Sequence, residues 1–178
     1  HTAVTNNSSL SLPKGSSNIG VFADGAGSEI INDGTIDIIG ASGSYGIKTT
    51  GTSSVENKKT VTLGVNGTAA DVAYGIYSTN ASEITNSGTL NIHAANSTGI
   101  YGGNASKITN GGEGAINITQ KNAVGIDSEG TTEITNNAPI NLSIASGSYG
   151  IRSTGASSQI ENKNKGDINL GSQGASST

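Results

Sequence analysis

Without a cysteine, chemistry in this chain would have to come from carboxylates, hydroxyls and two histidines, and these are thinly spread. Carboxylates gathered on one face could cleave glycosidic bonds or hold Ca²⁺. Asp24, Asp33, Asp37, Asp71, Asp127 and Asp167, however, keep no common spacing. His1 opens the chain and His93 stands alone after Ile92, so no Ser-His-Asp set can be assembled. Gly111-Gly112-Glu113-Gly114 lacks the aspartate of a Ca²⁺-binding nonapeptide and occurs once. The expectation is therefore no catalytic residue, no cofactor and no metal site. A formal charge of −4 with scattered cations argues against a nucleic-acid partner, which calls for a basic stripe. No run approaches the roughly 20 apolar residues of a membrane-spanning helix.

What does recur is a set of short phrases. Gly followed by an aliphatic residue appears at Gly20-Val21, Gly46-Ile47, Gly75-Ile76, Gly99-Ile100, Gly125-Ile126 and Gly150-Ile151, at spacings of 26, 29, 24, 26 and 25. A second column places Asn two residues after an aliphatic: Asn6, Asn32, Asn57, Asn86, Asn110, Asn136 and Asn162. A third alternates aliphatic, polar, aliphatic at Leu10/Leu12, Ile36/Ile38, Val61/Leu63, Leu90/Ile92, Ile116/Ile118, Ile140/Leu142 and Ile168/Leu170. Three columns holding one register through six or seven copies mark a repeat architecture.

The apolar residues alternate with period two, which is a strand signal and not a helical one. Three short strands and three Gly/Ser/Asn/Thr corners in about 25 residues describe one triangular coil. The predicted fold is all-β: a right-handed, single-stranded parallel β-helix of six to seven coils spanning 1–178, with no second domain. Stacked at about 4.8 Å, each strand would bond to its equivalents above and below. Each coil would bury only four or five side chains, so the stack must share the cost of order. That accounts for an ordered fold at 32% hydrophobic content.

The Asn column lies just past an inward aliphatic, where stacked amides would donate to one coil and accept from the other. These seven asparagines are expected to form a structural ladder. The glycines of the first column are expected to point outward between two inward residues. Glu29, Ser54, Glu83, Lys107, Glu133 and Gln159 would share an outward column, with Glu83, Lys107 and Glu133 pairing across coils. A second outward column follows the Gly-Ile step: Phe22, Lys48, Tyr77, Tyr101, Asp127 and Arg152. Tyr77 and Tyr101 would be stacked neighbours, with an Asp127–Arg152 pair beyond them. Exposed aromatics flanked by charge suit recognition of sugar or protein, so Tyr77, Tyr101, Lys48, Asp127 and Arg152 are the candidate ligand-binding residues. A Tyr ladder that only stabilises the sheet is the competing reading. One corner, Gly64 to Ala73, carries about four residues more than its equivalents and is a place where a binding loop would grow.

The phrases Gly75-Ile76-Tyr77, Glu83-Ile84-Thr85-Asn86-Ser87-Gly88-Thr89-Leu90-Asn91-Ile92 and Thr98-Gly99-Ile100-Tyr101 resemble the passenger regions of Gram-negative autotransporter (type V secretion) adhesins. Their wording is most similar to the long repetitive fusobacterial outer-membrane adhesins. The resemblance covers essentially the whole chain, and its motifs are specific for the fold and not for the ligand. It implies a segment of a larger passenger domain, with a signal peptide upstream and an outer-membrane β-barrel downstream. It further implies exposure on the bacterial surface or secretion, and a partner that is a host-cell or bacterial surface protein or glycan. Two other functions are weighed: a polysaccharide-processing β-helix enzyme fragment and a purely structural spacer.

Overall fold

The computed structural model describes residues 2–64, 72–143, 146–163 and 165–171. Among them there is no helix; the chain winds as a parallel β-solenoid. Three sheets run its length. The asparagine sheet holds Ala3–Asn6, Ser28–Asn32, Ser53–Asn57, Glu83–Asn86, Lys107–Asn110, Glu133–Asn136 and Gln159–Asn162. The aliphatic sheet holds Leu10–Leu12, Ile36–Ile38, Val61–Leu63, Leu90–Ile92, Ile116–Ile118, Ile140–Leu142 and Ile168–Leu170. The glycine sheet holds Ile19–Asp24, Ser44–Thr50, Ala73–Ser78, Thr98–Gly102, Val124–Ser128 and Tyr149–Ser153. A minor pair, Gly15–Ser16 with Ala41–Ser42, joins the first two coils at one corner.

Equivalent residues pair coil on coil. Ile84 lies against Ile108 and Ile108 against Ile134, while Leu90, Ile116 and Ile140 form a second row. Between the terminal coils the inward rows of Ile, Leu and Val are almost wholly excluded from solvent, so the core is a bundle of aliphatic ladders, open at Ile160, Ile168 and Leu170 in the last coil. Strand alternation supplies it directly: the polar residue between two aliphatics, such as Asn91 between Leu90 and Ile92, points out. Small polar side chains fill the corner leading into the asparagine sheet. Ser53 and Ser82 hydroxyls meet at 3.1 Å, Ser78 donates to Ser82 at 2.6 Å, and Thr132 bonds Ser128 and Ser158. Their hydroxyls satisfy each other where bulk would not fit.

The glycine column departs from the expectation of an outward, bare strip. Gly46, Gly75, Gly99 and Gly125 are buried, and the register pairs Tyr74 with Tyr45 and Ile76 with Ile47 while passing over Gly75. A Cβ on Gly75 would lie 2.6 Å from the Gly99 carbonyl oxygen, and one on Gly99 would lie 2.6 Å from that of Gly125. Each glycine backbone thus presses on the glycine of the next coil. The residue takes up one step without a side chain, in the manner of a bulge, and resets the alternation. Residues on both sides of the Gly-Ile step consequently face outward. Among the described residues the expected Glu83–Lys107–Glu133 charge row makes no ion pair, although the three are register neighbours. Long exposed side chains gain too little from such pairs to be held in one rotamer.

Candidate functional site

Among the described residues, the outer surface of the glycine sheet is the face of the solenoid that gathers the aromatic side chains. The chain has five tyrosines and one phenylalanine. All six lie on this sheet, at Phe22, Tyr45, Tyr74, Tyr77, Tyr101 and Tyr149, and none is in the core. Two outward columns carry them. One precedes the glycine (Ile19, Tyr45, Tyr74, Thr98, Val124, Tyr149), with Thr98 and Val124 buried beneath their neighbours, and the other follows the inward aliphatic (Phe22, Lys48, Tyr77, Tyr101, Asp127, Arg152). The second is the column expected from the sequence. The first was missed, because strict alternation through the glycine would have turned Tyr45 and Tyr74 inward.

Four rings pack as two stacked pairs. Tyr77 and Tyr101 lie 4.8 Å apart at 12°, and Tyr45 and Tyr74 lie 5.4 Å apart at 10°. The pairs meet edge to face, with Tyr45 and Tyr74 each 5.0 Å from Tyr77. Both arrangements suit the ring quadrupole. The Lys48 ammonium sits 4.4 Å from the Tyr45 centroid, a cation–π contact. Tyr101 donates its hydroxyl to Glu129 Oε2 at 2.7 Å. Asp127 is buried on this outer face and accepts two bonds from Arg152, from Nε at 3.0 Å and Nη2 at 2.6 Å. That fork is the strong, orienting form of the pair, and the guanidinium also lies 5.5 Å from the Tyr149 ring.

Desolvation by the neighbouring rings pushes the Tyr74, Tyr77 and Tyr101 phenols up from their usual value. For Tyr101 the bond to Glu129 adds to this. The bidentate bond to Asp127 raises Arg152 in turn. Tyr74, Tyr77 and Tyr101 therefore stay neutral at any physiological pH. Around the cluster, Phe22 and Tyr149 are about half exposed, at 47% and 50%. The face thus offers aromatic edges, phenolic hydroxyls and fixed charge to solvent over six coils.

The other faces differ. The asparagine ladder is internal: Nδ2 of Asn6, Asn32, Asn57, Asn86, Asn110 and Asn136 each donates to Oδ1 of the next asparagine, ending at Asn162, at 2.7–2.8 Å. The second amide hydrogen of Asn57, Asn110 and Asn136 goes to the carbonyls of Lys59, Ala138 and Gly166. The asparagine-to-asparagine bonds consequently all point toward the C-terminal coil. A second ladder, unforeseen, lies outside on the aliphatic sheet: Asn169 donates to Asn141, Asn141 to Asn117 and Asn117 to Asn91, at 2.8–2.9 Å. The repeated Leu-Asn-Ile and Ile-Asn-Leu phrases were the available signal for it. Beside the asparagine sheet runs a shallow groove of about 330 Å³ lined by Glu29, Ser54, Glu83 and small corner residues. It carries no aromatic anchor. The enlarged corner at 65–71 lies outside the described residues.

No protein-family model matches the chain, and neither does any curated protein or solved structure.

Proposed function

We propose that this chain is an adhesive stalk segment of a bacterial surface or secreted protein of the autotransporter kind, whose glycine-sheet face is its binding surface. The observation that carries the reading is the placement of every aromatic residue on one outer face. A solenoid gains most by burying such residues, since each removes a large apolar area from water. Here the core is aliphatic and the aromatic area is left at the surface, where Tyr, Phe and Arg are the residues that anchor interfaces. The resemblance in the repeat phrases supports surface display, and the ligand would be a protein or glycan on a host or bacterial cell. A passive spacer is the second reading, favoured by the stacking of the rings on one another.

The double substitution Tyr77→Ser/Tyr101→Ser separates the two. Losing the stacked pair is expected to cost about 1–3 kcal/mol of stability, read as a lowered melting temperature. Binding of the labelled chain to cultured epithelial cells or to bacterial cells, measured well below that melt, is expected to fall at least ~10-fold. If the wild-type chain binds neither, or binds as well after the substitution, the spacer reading replaces the adhesive one.

A further inference from the structure

We propose that the tyrosine face recognises a second copy of itself, with two solenoids lying face to face and antiparallel about a two-fold axis along the strands, between the Tyr77 and Tyr101 coils. This rests on the reading of that face as the binding surface and names its partner. The argument is one of order along the stack. From the first coil to the sixth, the column after the aliphatic runs Phe22, Lys48, Tyr77, Tyr101, Asp127, Arg152. Reversed upon itself, it places Tyr77 on Tyr101, Lys48 on the coil of Asp127 and Glu129, and Phe22 on Arg152.

Each of those meetings is chemically favourable. Lys48 joins no carboxylate among the described residues and lies over the Tyr45 ring, at 4.4 Å, and the Tyr77 ring, at 5.9 Å. Glu129 is exposed, its carboxylate accepts from the Tyr101 hydroxyl, and among the described residues it forms no ion pair. Lys48 and Glu129, neither of them in an ion pair among the described residues, thus lie equally far from the middle of the face, on opposite sides of it. Such an arrangement is what a self-complementary interface requires, since each residue meets its partner's mate twice. Phe22, about half exposed, would lie under a guanidinium already held flat by Asp127. In the column before the glycine Ile19 meets Tyr149, whereas Thr98 and Val124, 7% and 3% exposed, lie beneath their neighbours and leave room for the partner's Tyr74 and Tyr45 without contributing contact of their own. Reversal sets no like charges opposite each other. A parallel alignment in register would set Lys48 against Lys48 and Glu129 against Glu129, which repel.

The face also limits the strength. Six coils at about 4.8 Å and strands of five residues at about 3.3 Å give on the order of 500 Å² per copy. About 1,000 Å² in total is the lower end for a specific interface. The expected association is weak, with a dissociation constant on the order of 100 μM, and weaker still at high salt.

Sedimentation equilibrium of the chain tests this directly, with thermal melts as a control for folding. Lys48→Glu and Glu129→Lys, each at an exposed or half-exposed site, are expected to weaken self-association at least ~10-fold by setting like charges together. The combined variant Lys48→Glu/Glu129→Lys is expected to restore it to within about threefold of wild type. A wild-type chain that remains monomeric at about 1 mM overturns the proposal, as does a combined variant no better than either single one. If such a monomeric chain still binds cells through Tyr77 and Tyr101, self-recognition fails and the adhesive reading stands.

Discussion

Asn110→Asp is expected to lower the stability of the solenoid by about 3 kcal/mol or more, a larger loss than any surface change. Asn110 is fully buried; it accepts from Asn86 and donates to both Asn136 and the Ala138 carbonyl. A carboxylate there could still accept from Asn86 through one oxygen, but its second oxygen, in place of Nδ2, would face the Asn136 Oδ1 and Ala138 carbonyl acceptors and bury a charge without a cation. The substitution removes the donor from two acceptors on that one side, Asn136 Oδ1 and the Ala138 carbonyl, at about 1–3 kcal/mol apiece. Burial would raise the introduced carboxyl above its unfolded value near 3.9. The deficit should therefore shrink as pH falls toward that value and be complete above the raised folded value. In a chain of this size the loss corresponds to a fall of about 6–12 °C in melting temperature. Asn104→Asp is the matched control. Asn104 is exposed and its oxygen accepts from the Thr131 amide at 3.0 Å, a bond that a carboxylate retains. Equal melting temperatures for the two variants at neutral pH would mean that the ladder does not hold the coils together.

Gly99→Ala is the second large effect, and its cause is space alone. The φ of Gly99 is not in the left-handed region, so alanine's backbone preference is not offended. Its Cβ would meet the Gly125 carbonyl oxygen at 2.6 Å and Ile92 Cδ1 at 3.0 Å. The isoleucine can adjust its rotamer; the carbonyl belongs to a strand held by coils on both sides and cannot retreat alone. Overpacking of that kind costs about 1–3 kcal/mol and here sits at the upper end. Gly111→Ala provides the contrast, since its Cβ would meet nothing closer than Thr109 Cγ2 at 3.7 Å. That change should be neutral or slightly stabilising through the unfolded chain. Denaturant titration of the pair checks the assignment. Similar midpoints would show that the glycine column is not a point of close approach.

These two positions also show where sequence reasoning succeeds and where it stops. The coil period, the three strand columns and the aliphatic core were legible because every copy repeats the same alternation, and Ile84, Ile108 and Ile134 sit in register as spacing alone requires. Asn110 was legible for the same reason. The face taken by Gly99 was not, because a period of two says nothing about a residue that steps out of the ladder. The same step hid Tyr45 and Tyr74, so the tyrosine strip was read as one column where the structure has two. The Lys107 row failed differently. Register brings Lys107 beside Glu83 and Glu133, but exposed charges on long side chains need not meet when their backbones do.

The most direct test of the adhesive face compares the three sides of the solenoid in one binding experiment. Tyr77→Ser/Tyr101→Ser alters the glycine sheet, Asn91→Ser/Asn117→Ser the outer ladder of the aliphatic sheet, and Glu83→Ser/Glu133→Ser the groove side of the asparagine sheet. All six side chains point outward, so each variant should keep the β circular-dichroism spectrum of the parent chain. Binding to cells is expected to fall at least ~10-fold for the tyrosine pair and to stay within about twofold for the other two. Loss of binding from either polar side with the tyrosine pair unaffected would contradict the assignment of the binding surface.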